Sequence, residues 1–356
     1  MKQILGMSKT GNIKEAISTI ADSKPSALVF ATTEEKLEEH AKELAEAFPG
    51  IPSIGAVGQS YGNKNTNENG VTVIALCDGI TAVGNVLEEL SVMPVKYIKR
   101  LENDIQTIGA QTDNTVCFDF CTGCDSRLVT TLNMVLEKKK ISLAGGTSNS
   151  KAVALNGQIY EDACVYLMIK NQRGKVKVYK ENIYKPMKEH RMIATKTKTK
   201  PQNFEIVEID GKSAEQVYRD TLHITKEEAK TQTFKNPLGR CYGNEVYLIS
   251  IKETKGSSLE CYRQVNNMDI LTLMELDNYK QVVQNTVAQM KHDLGKVSAV
   301  LSVNCLFRYL FFSQEHYWDT YLQEMCSVSE HAGMVGVGEH YNQQHVNQTM
   351  CCVAFE

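Results

Sequence analysis

Ser26-Ala27-Leu28-Val29-Phe30 is followed by Leu37, Ala41, Leu44, Ala45 and Phe48, and then by Ile54-Gly55-Ala56-Val57-Gly58-Gln59-Ser60-Tyr61. The first run is a short apolar strand. The second set falls at helical spacing and ends at Pro49-Gly50, where a helix must stop. The third is a small-residue strand ending in polar groups. An Asn- and Gly-rich loop then leads to Val71-Thr72-Val73-Ile74-Ala75-Leu76, a closing strand.

The same layout returns twice. Ser298-Ala299-Val300-Leu301 matches Ser26 to Val29, and a helix is expected around His316 to Met325. Gly338-Glu339-His340-Tyr341 then stands where Gly58-Gln59-Ser60-Tyr61 stood, and Met350 to Phe355 closes. The middle copy is looser. Thr115 to Phe120 reads as a strand and Arg127 to Lys139 as a helix. Ala144-Gly145-Gly146-Thr147-Ser148 reads as a glycine turn, and Ala163 to Ile169 closes. Glycine at each bend removes the Cβ, so a ligand or a second backbone can approach closely.

The chain has 356 residues, 42% hydrophobic and 23% charged, enough for two globular domains with a core. A net charge of −3 gives no electrostatic case for nucleic acid or an anionic membrane. Eleven scattered cysteines read as reduced thiols of a cytoplasmic protein. Met1 to Asn12 lacks the apolar core of a signal peptide. Val297 to Phe312, the longest apolar stretch, is broken by Asn304 and Arg308, so membrane insertion is not expected.

Thr195-Lys196-Thr197-Lys198-Thr199-Lys200-Pro201 suits a linker or an edge strand guarded by lysines. The domain boundary is placed there, near 195–205. Beyond it, Phe204 to Ile209 alternates as a half-buried strand, Asp210-Gly211 turns, and Ser213 caps a helix to Leu222. Val246 to Ile251 and Ser258 to Val265 read as a meander.

Little in the chain is an obvious catalytic device. Cys121-Thr122-Gly123-Cys124 has metal or redox spacing, but no second pair follows. Ser148-Asn149-Ser150-Lys151 and Lys9-Thr10-Gly11 match serine-hydrolase motifs in the wrong order. No phosphate loop is present. Arg308, three residues after Cys305, would lower that thiol's pKa if close, and His345 would then serve as base. The plainer reading ends a core strand at Cys305 and gives Arg308 a carboxylate, Glu339 or a ligand's. His340 and His345 lack a third metal ligand at a recognisable interval.

These residues resemble the FIST family (F-box and intracellular signal transduction proteins). Asp210-Gly211-Lys212-Ser213-Ala214 with Val217-Tyr218, Pro237-Leu238-Gly239, Cys305-Leu306-Phe307-Arg308, Gly338-Glu339 and His345-Val346-Asn347-Gln348-Thr349 resemble its C-terminal domain. Ile54-Gly55 with Gly58, and Ala144-Gly145-Gly146-Thr147, resemble its N-terminal domain. The resemblance implies a stand-alone, bacterial-type sensory protein rather than an enzyme. It would bind a small molecule, such as an amino acid or other small anionic metabolite. The signal would pass to a separate output protein: a kinase, a chemotaxis protein or a cyclic-dinucleotide enzyme. Some relatives bind haem, which makes a haem gas sensor the alternative, with His345 as the first axial candidate and the cysteines as others, followed by a Cys-dependent enzyme. No other cofactor is implied.

The expected fold is α/β: two related domains, 1–197 and 203–356, of mixed, largely antiparallel sheets packed together with helices outside, built from strand-helix-strand-strand units. The expected ligand site is Arg308 on an anionic group, with Glu339, Asn347 and Thr349 orienting the rest and Cys305 and His345 beside them. Gly338 gives clearance, and Gly58, Gly146 and Thr147 complete the expected site.

Overall fold

The structure, a computed structural model, describes residues 1–200, 203–243 and 245–356. The chain is an α/β protein of mixed sheets. Its contacts divide it into two compact units, one formed by 1–181 with 283–356 and the other by 182–282. The expected boundary near 195–205 lies within the second unit, and its residues 201 and 202 lie outside the described residues.

The first unit holds three six-stranded sheets, and each contains one copy of the recurring layout. Ala27–Thr32 runs parallel to Ser53–Val57 and antiparallel to Val71–Cys77. Thr115–Cys121 runs parallel to Ser142–Thr147 and antiparallel to Cys164–Asn171. Ala299–Cys305 runs parallel to His331–Gly336 and antiparallel to Thr349–Phe355. A helix crosses between the parallel strands each time. These are Leu37–Ala47, Asp125–Lys139, and the pair Leu306–Gln314 and Trp318–Cys326. The third crossover therefore has two helices where one was expected, because Phe311 and Phe312 continue the helix that opens after Cys305.

Each copy then sends a hairpin into a neighbouring sheet. Ser60–Gly62 of the first copy pairs with His331–Gly336 of the third. Glu339–Tyr341 of the third pairs with Ser142–Thr147 of the second. Ala152–Leu155 of the second pairs with Ser53–Val57 of the first. The exchange is cyclic, and it closes three sheets around one apolar interior of residues such as Val29, Phe118, Phe120, Leu301, Val303 and Phe355. Helices cover the outer faces. Ile13, Leu37 and Leu44 pack on Leu28, Phe30 and Val73. Leu101, Leu128 and Leu132 pack on Cys117, Cys121 and Tyr166.

Register explains the glycines. Phe30 lies opposite Gly55, Asp119 opposite Gly145, and Ser302 opposite Gly333. Across the same glycines lie Ala154, His340 and Tyr61 of the exchanged hairpins. A side chain on the opening strand thus reaches over a glycine to meet one from the hairpin. A Cβ at Gly145 would sit 2.2 Å from Asp119 Oδ1, one at Gly55 2.1 Å from Phe30 Cζ, and one at Gly333 2.7 Å from Tyr61 Oη. Ala144 to Thr147 is therefore strand rather than turn, and the bend follows over 149–151. The same register aligns Tyr61 with His340, one residue away from the sequence alignment of Ser60 with His340.

The second unit carries a separate sheet, ordered Glu245–Ile249, Leu238–Tyr242, Ile270–Leu276, Tyr184–Lys200, Asn203–Ile209, Ser258–Cys261, Ile251–Lys255. Thr195 to Lys200 is not a linker: it continues the strand and pairs with Asn203–Ile209, and Lys196 and Lys198 bridge to Glu208 and Glu205. Asp210 and Gly211 turn at positive φ, and the Ser213 hydroxyl accepts from Gln216 N to cap helix Ala214–Leu222.

Candidate functional site

The expected site residues fall into four places, all within the first unit. Gly146, Thr147, Gly338 and His345 come together where the third copy's hairpin joins the second sheet. Val337 N donates to Thr147 O (3.1 Å), and Thr147 N donates to Gly338 O (2.9 Å). A Cβ on Gly338 would lie 2.9 Å from both His345 Nε2 and Thr147 Oγ1, and 3.2 Å from Asp125 Oδ1. A Cβ on Gly146 would lie 2.5 Å from Gly338 O. Both glycines are required by close approach. Gly58 does the same at another bend, where Val335 O stands 2.6 Å from the missing Cβ.

Around Gly338 lies a polar cluster that the sequence reading did not assemble. His340 Nδ1 is 2.8 Å from Asp119 Oδ2, and its Nε2 is 3.1 Å from Asp125 Oδ1. With a carboxylate at each nitrogen, both nitrogens donate and the ring carries a proton. Burial opposes that charge, but Asp119 first, then Cys121 and Asp125, hold the His340 pKa well above its ordinary value. Burial also pushes the Asp125 carboxyl upward. His345, His340 and the Thr147 hydroxyl outweigh it and hold the group well below the usual carboxylate range. Thr147 Oγ1 donates to Asp125 Oδ1, and His345 Nε2 lies 3.6 Å from the same oxygen. Cys121 Sγ stands 3.9 Å from His340 Nε2, and burial pushes its thiol up to about 11.

Glu339, Thr349, Cys305 and Asn347 form a second group on the other side of the bend. The Thr349 hydroxyl and amide both donate to Glu339 Oε2, at 2.6 and 3.2 Å. Burial nevertheless pushes the Glu339 carboxyl up to about 8. Asn347 Nδ2 reaches Val337 O at 3.5 Å. Cys305 caps helix Leu306–Gln314, and burial, then Glu339, push its thiol well up rather than down. Arg308 does not activate it.

Arg308 belongs to a third network. Its guanidinium is fully buried, donates from Nη2 to Glu181 Oε1 and from Nε to Asn304 Oδ1 (3.1 Å), and lies over the Phe312 ring at 4.4 Å. Asn304 Nδ2 donates onward to Tyr61 Oη (2.7 Å), Tyr61 bonds Ser302 Oγ (2.8 Å), and Ser302 bonds His331 Nε2 (2.6 Å). The carboxylate expected at Arg308 is present and comes from this chain, from Glu181 rather than Glu339.

His345 offers haem a poor seat. Its Nε2 faces Asp125, its ring meets His340 edge-on with centroids 6.1 Å apart, and Gly338 backs onto it. An axial ligand needs an apolar slot beside it, whereas the neighbours of His345 here are Asp125 and His340.

The missed residues did leave a trace. Thr115-Val116-Cys117-Phe118-Asp119-Phe120-Cys121 is an apolar strand with one carboxylate in it, and a buried charge demands a partner. The partner, His340, lies 221 residues away, and only the hairpin exchange brings it close.

The FIST N domain matches residues 26–212 and the FIST C domain matches residues 214–342. The chain belongs to the FIST family, whose domains are sensory domains of signal-transduction proteins. No curated protein matches it. Among the described residues, no helix is long and apolar enough to cross a membrane.

Proposed function

We propose that this FIST chain is a sensor that binds a small ligand at the Gly338 bend and passes the signal to a separate output protein. A kinase, a chemotaxis protein or a cyclic-dinucleotide enzyme would serve as that output. The observation that carries the ligand reading is a pair of buried acceptors. Glu339 Oε1 and Asn347 Oδ1 have no hydrogen-bond partner among the described residues, although the side chains are 0% and 3% exposed. An unsatisfied buried polar atom costs about 1–3 kcal/mol, and a ligand bringing donors recovers that cost.

The chemistry that fits is an ammonium group or a small amine, whose positive charge would draw the raised Glu339 carboxyl into its ionised form and make it the counter-charge. An amino acid satisfies this at its ammonium end. Its carboxylate finds Arg308 already paired with Glu181, so the ammonium end carries the recognition. Val337, 42% exposed, marks where the bend meets solvent. Cys305, with its raised pKa, lies in this group as a spectator rather than a nucleophile.

A thermal-shift screen of amino acids and small amines tests the reading. At least one compound is expected to raise the melting temperature of the wild type and to leave Glu339→Gln unmoved. A compound that stabilises both proteins equally removes Glu339 from the site, and a screen with no stabilising compound removes the reading.

A further inference from the structure

We infer that Cys121, Asp125, His340 and His345 form a binding site for one divalent transition-metal ion of the zinc class. Taken from sequence, His340 and His345 lacked further ligands. The fold supplies them from the other end of the chain, at the mouth of helix Asp125–Lys139.

Cys121 Sγ, Asp125 Oδ1 and His340 Nε2 stand at the mutual separations of three corners of a tetrahedral shell, and His345 Nε2 stands at such a separation from Asp125. Metal–ligand lengths of about 2.0–2.3 Å for N, O and S donors place tetrahedral ligand atoms about 3.3–3.7 Å apart. Asp125 Oδ1 lies 3.1 Å from His340 Nε2, 3.6 Å from His345 Nε2 and 3.8 Å from Cys121 Sγ, and Cys121 Sγ lies 3.9 Å from His340 Nε2. Those four separations scatter about the expected edge by a few tenths of an ångström. The donor set also balances in charge, because one thiolate and one carboxylate neutralise a divalent ion while both imidazoles bind neutral. Thiolate and imidazole together select zinc-class ions over magnesium or calcium.

The surroundings match what ligating groups require. Asp119 hydrogen-bonds His340 Nδ1 at 2.8 Å, which fixes the ring with Nε2 turned toward the cluster. Thr147 Oγ1 donates to Asp125 and orients that carboxylate. Asp119, Cys121 and His340 are fully buried, whereas the side chains of Asp125 and His345 retain 15% and 11% exposure, giving the ion its way in. Four protein ligands close the shell, so the ion acts as a clamp and leaves no open position for hydrolysis. It ties the third copy's hairpin, Glu339–Tyr341 with Gln344–Val346, to the start of the second copy's helix. This site uses neither Glu339 nor Asn347 and stands apart from the small-ligand reading.

The full-length chain, stripped of metal and titrated with Co²⁺, tests the site, with Zn²⁺ as competitor. One equivalent of Co²⁺ is expected to give the intense visible bands of a tetrahedral ion and a thiolate-to-cobalt charge-transfer band, both displaced by Zn²⁺. Cys121→Ser removes the charge-transfer band. His345→Gln, at the partly exposed rim where folding is least at risk, weakens binding at least tenfold. Asp119→Asn, acting through His340, weakens it about 10–100-fold while keeping the tetrahedral bands. Cys124→Ser, an exposed cysteine outside the cluster, changes nothing. Weak octahedral-type bands without charge transfer overturn the proposal. So does a charge-transfer band that survives Cys121→Ser or disappears with Cys124→Ser.

Discussion

Gly333 illustrates how much one missing carbon decides here. A Cβ at that position would lie 1.9 Å from Ser302 O, a backbone atom that cannot step aside. Gly333→Ala should therefore lower unfolding free energy by about 3 kcal/mol, read from denaturant titration. Arg308 makes a different argument at the same scale. Its pairing with Glu181 is fully buried, so removing either partner strands a charge at a cost of about 3–5 kcal/mol. In a double-mutant cycle, Arg308→Met with Glu181→Leu should be markedly less destabilised than the sum of the two single changes. Simple additivity would show that the pair is not coupled. His331 gives a pH signature. Burial holds its pKa down to about 3, and its Nδ1 has no partner among the described residues, so protonation adds an unsatisfied buried donor. The folded ring stays neutral while the unfolded ring protonates below about pH 6.5. Its contribution is thus present in full above that value and is lost as pH falls toward 3. Between pH 7 and pH 5 the wild type should lose about 2 kcal/mol through this group. His331→Gln should lose correspondingly less over the same interval, and equal losses would assign the acid sensitivity elsewhere.

At the scale of the element, the repeated layout was legible because it is local. Leu28-Val29-Phe30, the Leu37-Ala41-Leu44 stripe and Pro49-Gly50 each announce themselves within a few residues, and the structure places a strand, a helix and a helix stop there. Ala144 to Thr147 misled because glycine in a run normally signals a turn. Gly145 instead sits within a strand, since Asp119 and His340 meet across it. The hairpins carry the long-range order and depend on their turns. Asn156 and Gly157 turn at positive φ, and Asn156 Oδ1 accepts from Ser53 N (2.8 Å), joining the second copy's hairpin to the first copy's sheet. Asn156→Ala removes that hydrogen bond and a residue suited to the left-handed region. It should cost about 1–2 kcal/mol by thermal or denaturant unfolding. A neutral outcome would show that strand pairing alone holds the exchange.

Across the whole molecule, the sequence pointed to three copies of one unit but not to their cyclic exchange of hairpins. Nothing local in Gly338 to Tyr341 says which sheet it joins. That is why Glu339, Thr349 and the Gly338 bend were recognisable while Asp119, Cys121 and Asp125 were not joined to them. Arg308 was recognised as needing a carboxylate, yet Glu181 carries no pattern that names it. The bend between Val337 and Glu339 is proposed as the place where this sensor meets its ligand. Amide hydrogen exchange across the chain, with and without a compound that stabilises it, decides whether the bend binds. Increased protection is expected at Thr147 and Val337, whose amides hydrogen-bond across the bend, and at Thr349, which donates to Glu339. It should vanish in Glu339→Gln. Protection confined to other segments, or unchanged by that substitution, would contradict it.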